Sequence, residues 1–294
     1  MHLRIGTRGS SLALAQVDIF IKNLQKFEDF TFEIITIKTT GDKILDRPLY
    51  DIGGKAMFLK ELEDALLNNV IDVAIHSLKD VPGILEDKFK LACYLKRESS
   101  LDCFISKKAS NIMGLKPYST IGSSSPRRNS FIKNIRPDLV VVPIRGNVDK
   151  RIQKLLNGEI DAIILATVGL KRLRLFDESY CNPIEIEEFI PCVGQGVITA
   201  EILHENLILS KILEQLNDKD TKNCVEVERE FLARLNASCR TPIAAYVYKV
   251  GDFYKGSFML SSDNMEKMVI KRFDSIELKK NFGMNVAESM ISLL

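Results

Sequence analysis

Five of the fifteen arginines, Arg127, Arg128, Arg136, Arg145 and Arg151, fall within twenty-five residues. Three of them sit where strand-like segments give way to helix-like ones, the places that line a ligand crevice in α/β folds. In Gly122-Ser123-Ser124-Ser125-Pro126-Arg127-Arg128, Pro126 suits the first helical position and Ser125 the N-cap. Cations in a first helical turn oppose the helix dipole, at about 0.3 to 1 kcal/mol each. A bound carboxylate returns about 1.5 to 3 kcal/mol per charged hydrogen bond, so an anionic ligand accounts for these arginines better than surface decoration. The arrangement recurs in Thr7-Arg8-Gly9-Ser10 and in Arg145-Gly146-Asn147-Val148. Three such turns imply several carboxylates or phosphates on the ligand, and helix termini suit phosphate equally well.

Two further segments carry reactive groups. His76-Ser77-Leu78-Lys79-Asp80-Val81-Pro82 follows an apolar run; Asp80 beside a cationic cluster stays ionised and can hold a positive charge or move a proton. Cys239 lies in a turn with Arg240 beside it, which favours the thiolate; the other five cysteines read as apolar filler. Two nucleotide signals fail. Gly53-Gly54-Lys55 has Ala56 where a Walker Ser or Thr binds magnesium and Leu49 where the first glycine belongs, and Gly194-Gln195-Gly196 lacks its third glycine because position 199 is Thr. Neither ATP nor NAD is indicated.

The elements that must position these residues follow from length and periodicity. With 294 residues, 46% apolar and 27% charged, the chain has the composition of a folded protein of two or three domains. Its net charge of +2 gives no global footprint for nucleic acid or a membrane surface. Arg4, Arg8 and Asp18 interrupt any signal-peptide core, and the longest nearly apolar run, Ala162 to Leu170, is about half of what a spanning helix needs. Six cysteines without a C-x-x-C pair, with His2, His76 and His204 scattered, argue against zinc and against a disulfide scaffold. A cytoplasmic monomer with reduced thiols, no metal, no membrane and no nucleic-acid partner is the expectation.

Strand-like and helix-like segments alternate over the first two hundred residues, which predicts parallel sheets covered by helices. Expected are a strand at Leu3 to Gly6, a helix from Ser10 to about Phe27, a strand at Thr31 to Thr39, a long loop at Thr40 to Lys55, a helix at Met57 to Asn69 and a strand at Asp72 to Ile75. A second series runs through strands at Ser119 to Gly122, Leu139 to Ile144 and Ala162 to Leu165, with helices at Pro126 to Ile135 and Asn147 to Asn157. After Gly196 come helices at Leu207 to Asn217 and Asn223 to Leu235. An antiparallel meander of Ala244 to Val250, Phe253 to Leu260 and Met268 to Phe273 then closes with a helix from Ile276 to Leu293.

Taken in order, Thr7-Arg8-Gly9-Ser10, Gly41-Asp42, Gly53-Gly54-Lys55, His76 to Pro82, Ser124 to Arg128, Arg145 to Val148, Asp161 to Ala166, Gly169 to Leu173, Val193 to Gly196 and Cys239 with Pro242-Ile243 resemble the porphobilinogen deaminases, also called hydroxymethylbilane synthases. Each motif alone is modest; the ordered set is specific and covers most of the chain. The resemblance implies a transferase that joins four porphobilinogen molecules head to tail, releases ammonia at each step and frees hydroxymethylbilane by hydrolysis. It implies a dipyrromethane cofactor held by a thioether to Cys239, with Lys79, Asp80, Ser125, Arg127 and Arg128 holding it. Arg8, Ser10, Arg145, Arg151 and Arg172 would bind substrate, Asp80 would be catalytic and Lys55 would lie on a mobile covering loop. Because porphobilinogen carries an acetate and a propionate, the arginine turns become carboxylate clamps. The implied fold is two α/β lobes like those of periplasmic binding proteins plus a small α+β third domain: residues 1–97 with 197–217 returning to them, 98–196, and 218–294. Ala237-Ser238 stand where the family has Gly-Gly. The alternative is a non-catalytic two-lobed binding protein for a small polycarboxylate, in which Cys239 has no role.

Overall fold

A computed structural model of the chain describes residues 1–27, 29–43, 58–236 and 241–294. The chain opens in β1 (His2–Arg8), whose alternate residues Leu3 and Ile5 are fully buried. Ser10 then caps α1 (Ser11–Leu24), its Oγ accepting from the Ala13 amide at 3.3 Å. Buried Ala13, Val17, Phe20 and Leu24 recur at helical spacing and form one face. There follow β2 (Thr31–Ile37), a single turn α2 (Thr40–Lys43), α3 (Lys60–Leu67), β3 (Val73–Ser77) and β4 (Phe89–Tyr94).

The chain then crosses to a second sheet. Here lie β5 (Asp102–Ile105), β6 (Thr120–Gly122), α4 (Pro126–Ile135), β7 (Val140–Val142), α5 (Val148–Leu156), β8 (Ala162–Ala166), α6 (Thr167–Arg172) and β9 (Cys181–Pro183). It crosses back into β10 (Ile198–Leu203) and α7 (Leu207–Glu214). Leu209 and Leu213 of α7 pack with Leu3, Ile5 and Val17 in the core of the first sheet. The C-terminal portion is α8 (Lys219–Arg234), the meander β11 (Ile243–Val250), β12 (Phe253–Ser261) and β13 (Met268–Ile276), and α9 (Phe282–Ile291). Phe231 of α8, Val247, Phe258 and Met290 of α9 share one core.

The strand orders are β2-β1-β3-β10-β4, β7-β6-β8-β5-β9 and β11-β12-β13. Both five-stranded sheets are mixed, which corrects the expectation of parallel sheets. β10 runs antiparallel to β3 and β4, and β5 antiparallel to β8 and β9. Each of these strands sits beside a crossing and enters its sheet from the other lobe, a direction that no local periodicity encodes. The closing helix is also shorter than expected. Ile276 still belongs to β13, pairs with Tyr254 and is 4% exposed, because its side chain completes the sheet's core face.

The crossings lie at 95–101 and 184–197, and they explain the Gly-x-Gly at 194–196. Gly194 and Gly196 have φ of +68° and +90°. A Cβ on Gly196 would stand 2.8 Å from the Glu98 carbonyl oxygen and 3.0 Å from that of Ser99. The two crossings therefore touch backbone to backbone. Gly196→Ala is expected to lower stability by at least about 2 kcal/mol through strain plus overlap. Gly158→Ala, also at positive φ but with open space around it, bears only the strain, and thermal denaturation of the two variants separates the contributions.

Candidate active site

Both sheets direct the C-terminal ends of their parallel strands toward one cleft of about 620 Å³, as α/β folds do. Arg8 ends β1; its Nε lies 3.2 Å from both Asp42 carboxylate oxygens, and its guanidinium stacks 3.9 Å over the Phe58 ring. Burial alone would raise the Asp42 carboxyl, but Arg8 and Thr39 hold it below the usual range. After β3, one 3-10 turn, Leu78–Asp80, carries Lys79 and Asp80 to the cleft wall. Burial pushes the Lys79 ammonium down, opposed in part by Asp80. No described side chain hydrogen-bonds the Asp80 carboxylate, so it keeps its acceptor capacity for a ligand.

From the other lobe, α4 begins as the sequence predicts: Pro126 is in its first turn and the Ser125 Oγ accepts from the Arg128 amide at 3.5 Å. The arginines there have an internal anion. Asp102, at the start of β5, is fully buried. Its Oδ1 accepts from Arg128 Nη2 at 2.7 Å, Arg128 Nε at 3.2 Å and Gln195 Nε2 at 3.1 Å. Arg127 Nη2 stands 2.7 Å from Oδ2 as a charge contact without a directed hydrogen bond. Burial would raise the Asp102 carboxyl, yet Arg127 and Arg128 hold it well below the usual range. Arg127 also donates to the Ile190 carbonyl and Arg128 to that of Ile164. An external anion is thus not required to balance the first turn of α4, which corrects the dipole argument for this pair.

Three further cleft arginines, Arg145, Arg151 and Arg172, have their proton affinity lowered by burial. Arg151, on α5, donates to the Gly146 carbonyl at 2.7 Å, and burial, with Arg128 and Arg145 nearby, pushes it down to about 10. Arg145 is lowered by burial and by Arg8. Arg172, the last residue of α6, is lowered by burial despite its bonds to Glu98. Crowded, partly desolvated like charges of this kind are relieved by a bound anion.

Of the residues expected at the site, Arg8, Ser10, Lys79, Asp80, Arg128, Arg145, Arg151 and Arg172 line the cleft. Ser125 and Arg127 do not; they cap α4 and pair with Asp102. Lys55 and Cys239 lie outside the described residues. Of the remaining cysteines, Cys93, Cys103, Cys181 and Cys224 are buried and Cys192 half-buried, all without disulfides. Sequence reasoning passed over Asp102, Phe58, Glu98 and the bonding role of Gln195. Only Asp102 leaves a local trace, as an acidic residue opening the apolar run Cys103-Phe104-Ile105. Among the described residues no cluster of His, Cys, Asp and Glu could hold a metal ion, and no helix is long and apolar enough to cross a membrane.

Fold and site together define a two-lobed α/β protein whose cleft is lined by arginines and Lys79 from both lobes, suits an anionic ligand and presents the Asp80 carboxylate to it. The family model described as "Porphobilinogen deaminase, dipyromethane cofactor binding domain" matches residues 3–211, and "Porphobilinogen deaminase, C-terminal domain" matches 222–292. The porphobilinogen deaminase of Rickettsia canadensis (strain McKiel) is 46% identical over 99% of this chain and 98% of its own length. That of Rickettsia akari (strain Hartford) is 45% identical over the same shares. The Bordetella pertussis BvgS periplasmic VFT2 domain aligns at 12% identity and a TM-score of 0.45, covering 73% of this chain and 86% of its own. That last likeness adds nothing to what the sheets already establish. The chain belongs to the porphobilinogen deaminase family.

Proposed function

We propose that the chain condenses four porphobilinogen molecules head to tail into hydroxymethylbilane, releasing ammonia, on a dipyrromethane cofactor joined by a thioether to Cys239. The observation that carries this reading is that Arg8, Lys79, Arg128, Arg145, Arg151 and Arg172, from both lobes, line the same cleft as Asp80. The donor set fits the cofactor: guanidinium forks and an ammonium suit acetate and propionate groups, and the buried Arg127 Nε has no hydrogen-bond partner. Lys79 and Arg128, on the cleft wall, would hold its side chains with Asp80 beside the rings, while Ser125 and Arg127 would act from behind them through the α4 cap and the shared Asp102. When bound, the group supplies the free pyrrole carbon from which the product is extended.

Arg8, Ser10, Arg145, Arg151 and Arg172 take the carboxylates of incoming and added units, fixing each ring so that its aminomethyl group faces Asp80. The Asp80 carboxylate then meets positive charge twice. It opposes the charge left on the ring as the carbon–nitrogen bond breaks and ammonia departs with the electron pair. It would also oppose the charge that the new carbon–carbon bond leaves on the nucleophilic pyrrole, and could take the proton which that ring carbon must lose. Lys79, its proton affinity lowered by burial, stands beside Asp80 on the same turn. Residues 1–97 with 197–217, 98–196 and 218–294 form the three units in this reading. In this reading the chain is a cytoplasmic monomer acting on a free small molecule, its net charge of +2 giving no footprint for nucleic acid or a membrane surface.

Intact-mass measurement tests the proposal. Protein from cells able to make porphobilinogen should carry the added mass of two linked pyrroles, absent in Cys239→Ala, and should consume porphobilinogen with ammonia release. An unmodified Cys239 peptide together with tight, unproductive binding would restore the polycarboxylate receptor.

A further inference from the structure

The Glu98 amide donates to the Gly196 carbonyl at 3.2 Å, joining the two crossings through the backbone, and three side-chain braces among the described residues fasten them further. Glu228, fully buried on α8, accepts from Arg97 Nη1 at 2.8 Å and Nη2 at 2.9 Å on the first crossing and from the Gly194 amide at 2.8 Å on the second. Gln195 donates to the Ser100 carbonyl at 2.6 Å and to Asp102. Arg172 donates through Nε and Nη2 to Glu98 Oε1, at 3.0 and 2.8 Å, and through Nη2 to the Gly196 carbonyl at 3.1 Å. Of the three braces, only the last has a side chain on the cleft wall.

That brace is lopsided. The Arg172 side chain is 4% exposed whereas the Glu98 side chain is 43% exposed. The carboxylate can return to water at little cost, but the guanidinium cannot. Both donors converge on one oxygen instead of the two-oxygen fork that makes arginine–carboxylate pairs strong. Glu98 reaches Arg172 without lining the cleft, so a ligand carboxylate can approach the same guanidinium from inside.

We propose that Glu98 is a built-in competitor for Arg172, occupying it when the cleft lacks a ligand carboxylate there and yielding it when one arrives. Exchange swaps one anion on a buried cation for another and frees the C-terminal end of α6 from Glu98, while the Thr167 amide keeps the start of the helix on the Leu101 carbonyl at 3.0 Å; occupancy of Arg172 thus removes one side-chain brace between the lobes as the product lengthens. This rests on the reading of Arg172 as a substrate holder.

Steady-state kinetics of the holoenzyme with porphobilinogen test it. Glu98→Gln keeps the size but removes the charge, and should lower KM by about threefold to tenfold, the range between exposed and half-buried ion pairs, with the change carried by KM rather than kcat. In an Arg172→Gln background the same substitution should have no such effect. An unchanged or raised KM in Glu98→Gln, while Arg172→Gln raises it, would make Glu98 a structural brace only and overturn the proposal. A normal KM in Arg172→Gln would remove the substrate-holding reading and the proposal with it. If Glu98→Gln does not fold, Glu98→Asp, whose shorter arm loosens the pair, should shift KM downward by a smaller factor, and no shift overturns the proposal.

Discussion

Asp80→Asn should keep the cofactor and bind porphobilinogen while turnover falls by about 100-fold or more, the loss typical of a missing electrostatic or proton-transfer group. The substitution preserves size, and no described side chain hydrogen-bonds this carboxylate, so little of the fold depends on it. Asp80 stands on a one-turn element that ends at Val81, whose amide bonds back to the Leu78 carbonyl. Its backbone position is therefore set by the turn, not by its charge. Single-turnover measurement of ammonia release separates the chemical step from binding. Turnover near that of the parent protein would reduce Asp80 to a turn residue and leave the cleft without its central group.

The second large effect is on stability. Asp102→Asn leaves Arg127 and Arg128, whose side chains are 5% and 10% exposed, without their shared anion. Removing one partner of a buried ionic cluster costs about 3 to 5 kcal/mol, or roughly 10 °C in Tm for a chain of this size. The effect has a defined pH dependence. The folded-state pKa of Asp102 lies below its unfolded value of 3.8, so the stabilisation is fully present above that value and is lost as pH falls toward the folded one. The gap between the parent protein and Asp102→Asn should therefore be widest above about pH 5 and narrow steadily below about pH 4. Urea denaturation across that range reads it directly. Equal stability at pH 7, or a gap that ignores pH, would show that the two arginines are balanced by something other than Asp102. Because the same pair supports the cofactor in the proposed reading, the variant's adduct mass indicates whether their orientation depends on the carboxylate.

Features that depend on neighbouring residues were legible in the sequence. The apolar spacing that makes α1 one-sided, its Ser10 cap, the Ser125-Pro126 start of α4 and the antiparallel meander of β11 and β12 all follow from the backbone and solvent exposure of short segments. The placing of Arg8, Arg128 and Arg145 where strands give way to helices was legible too, and the structure brings these three to the wall of one cleft. The order of motifs along the chain pointed to the family that both matching family models define.

What neighbours in sequence could not express was settled by sheet order. Asp102 lies 26 residues from Arg128, and Glu98 lies 74 from Arg172; each pair meets only because β5 enters the second sheet antiparallel beside β8, between the crossing and α6. The same insertion turns Gly194-Gln195-Gly196 from a failed nucleotide signal into the place where two crossings touch. Local periodicity measures how one segment meets water, and so determines which residues are helical, extended or buried. Which buried charge neutralises which arginine, and which arginine is left for a ligand, is a matter of electrostatics across several ångströms in a low-dielectric interior. Only the tertiary arrangement of the two lobes decides it.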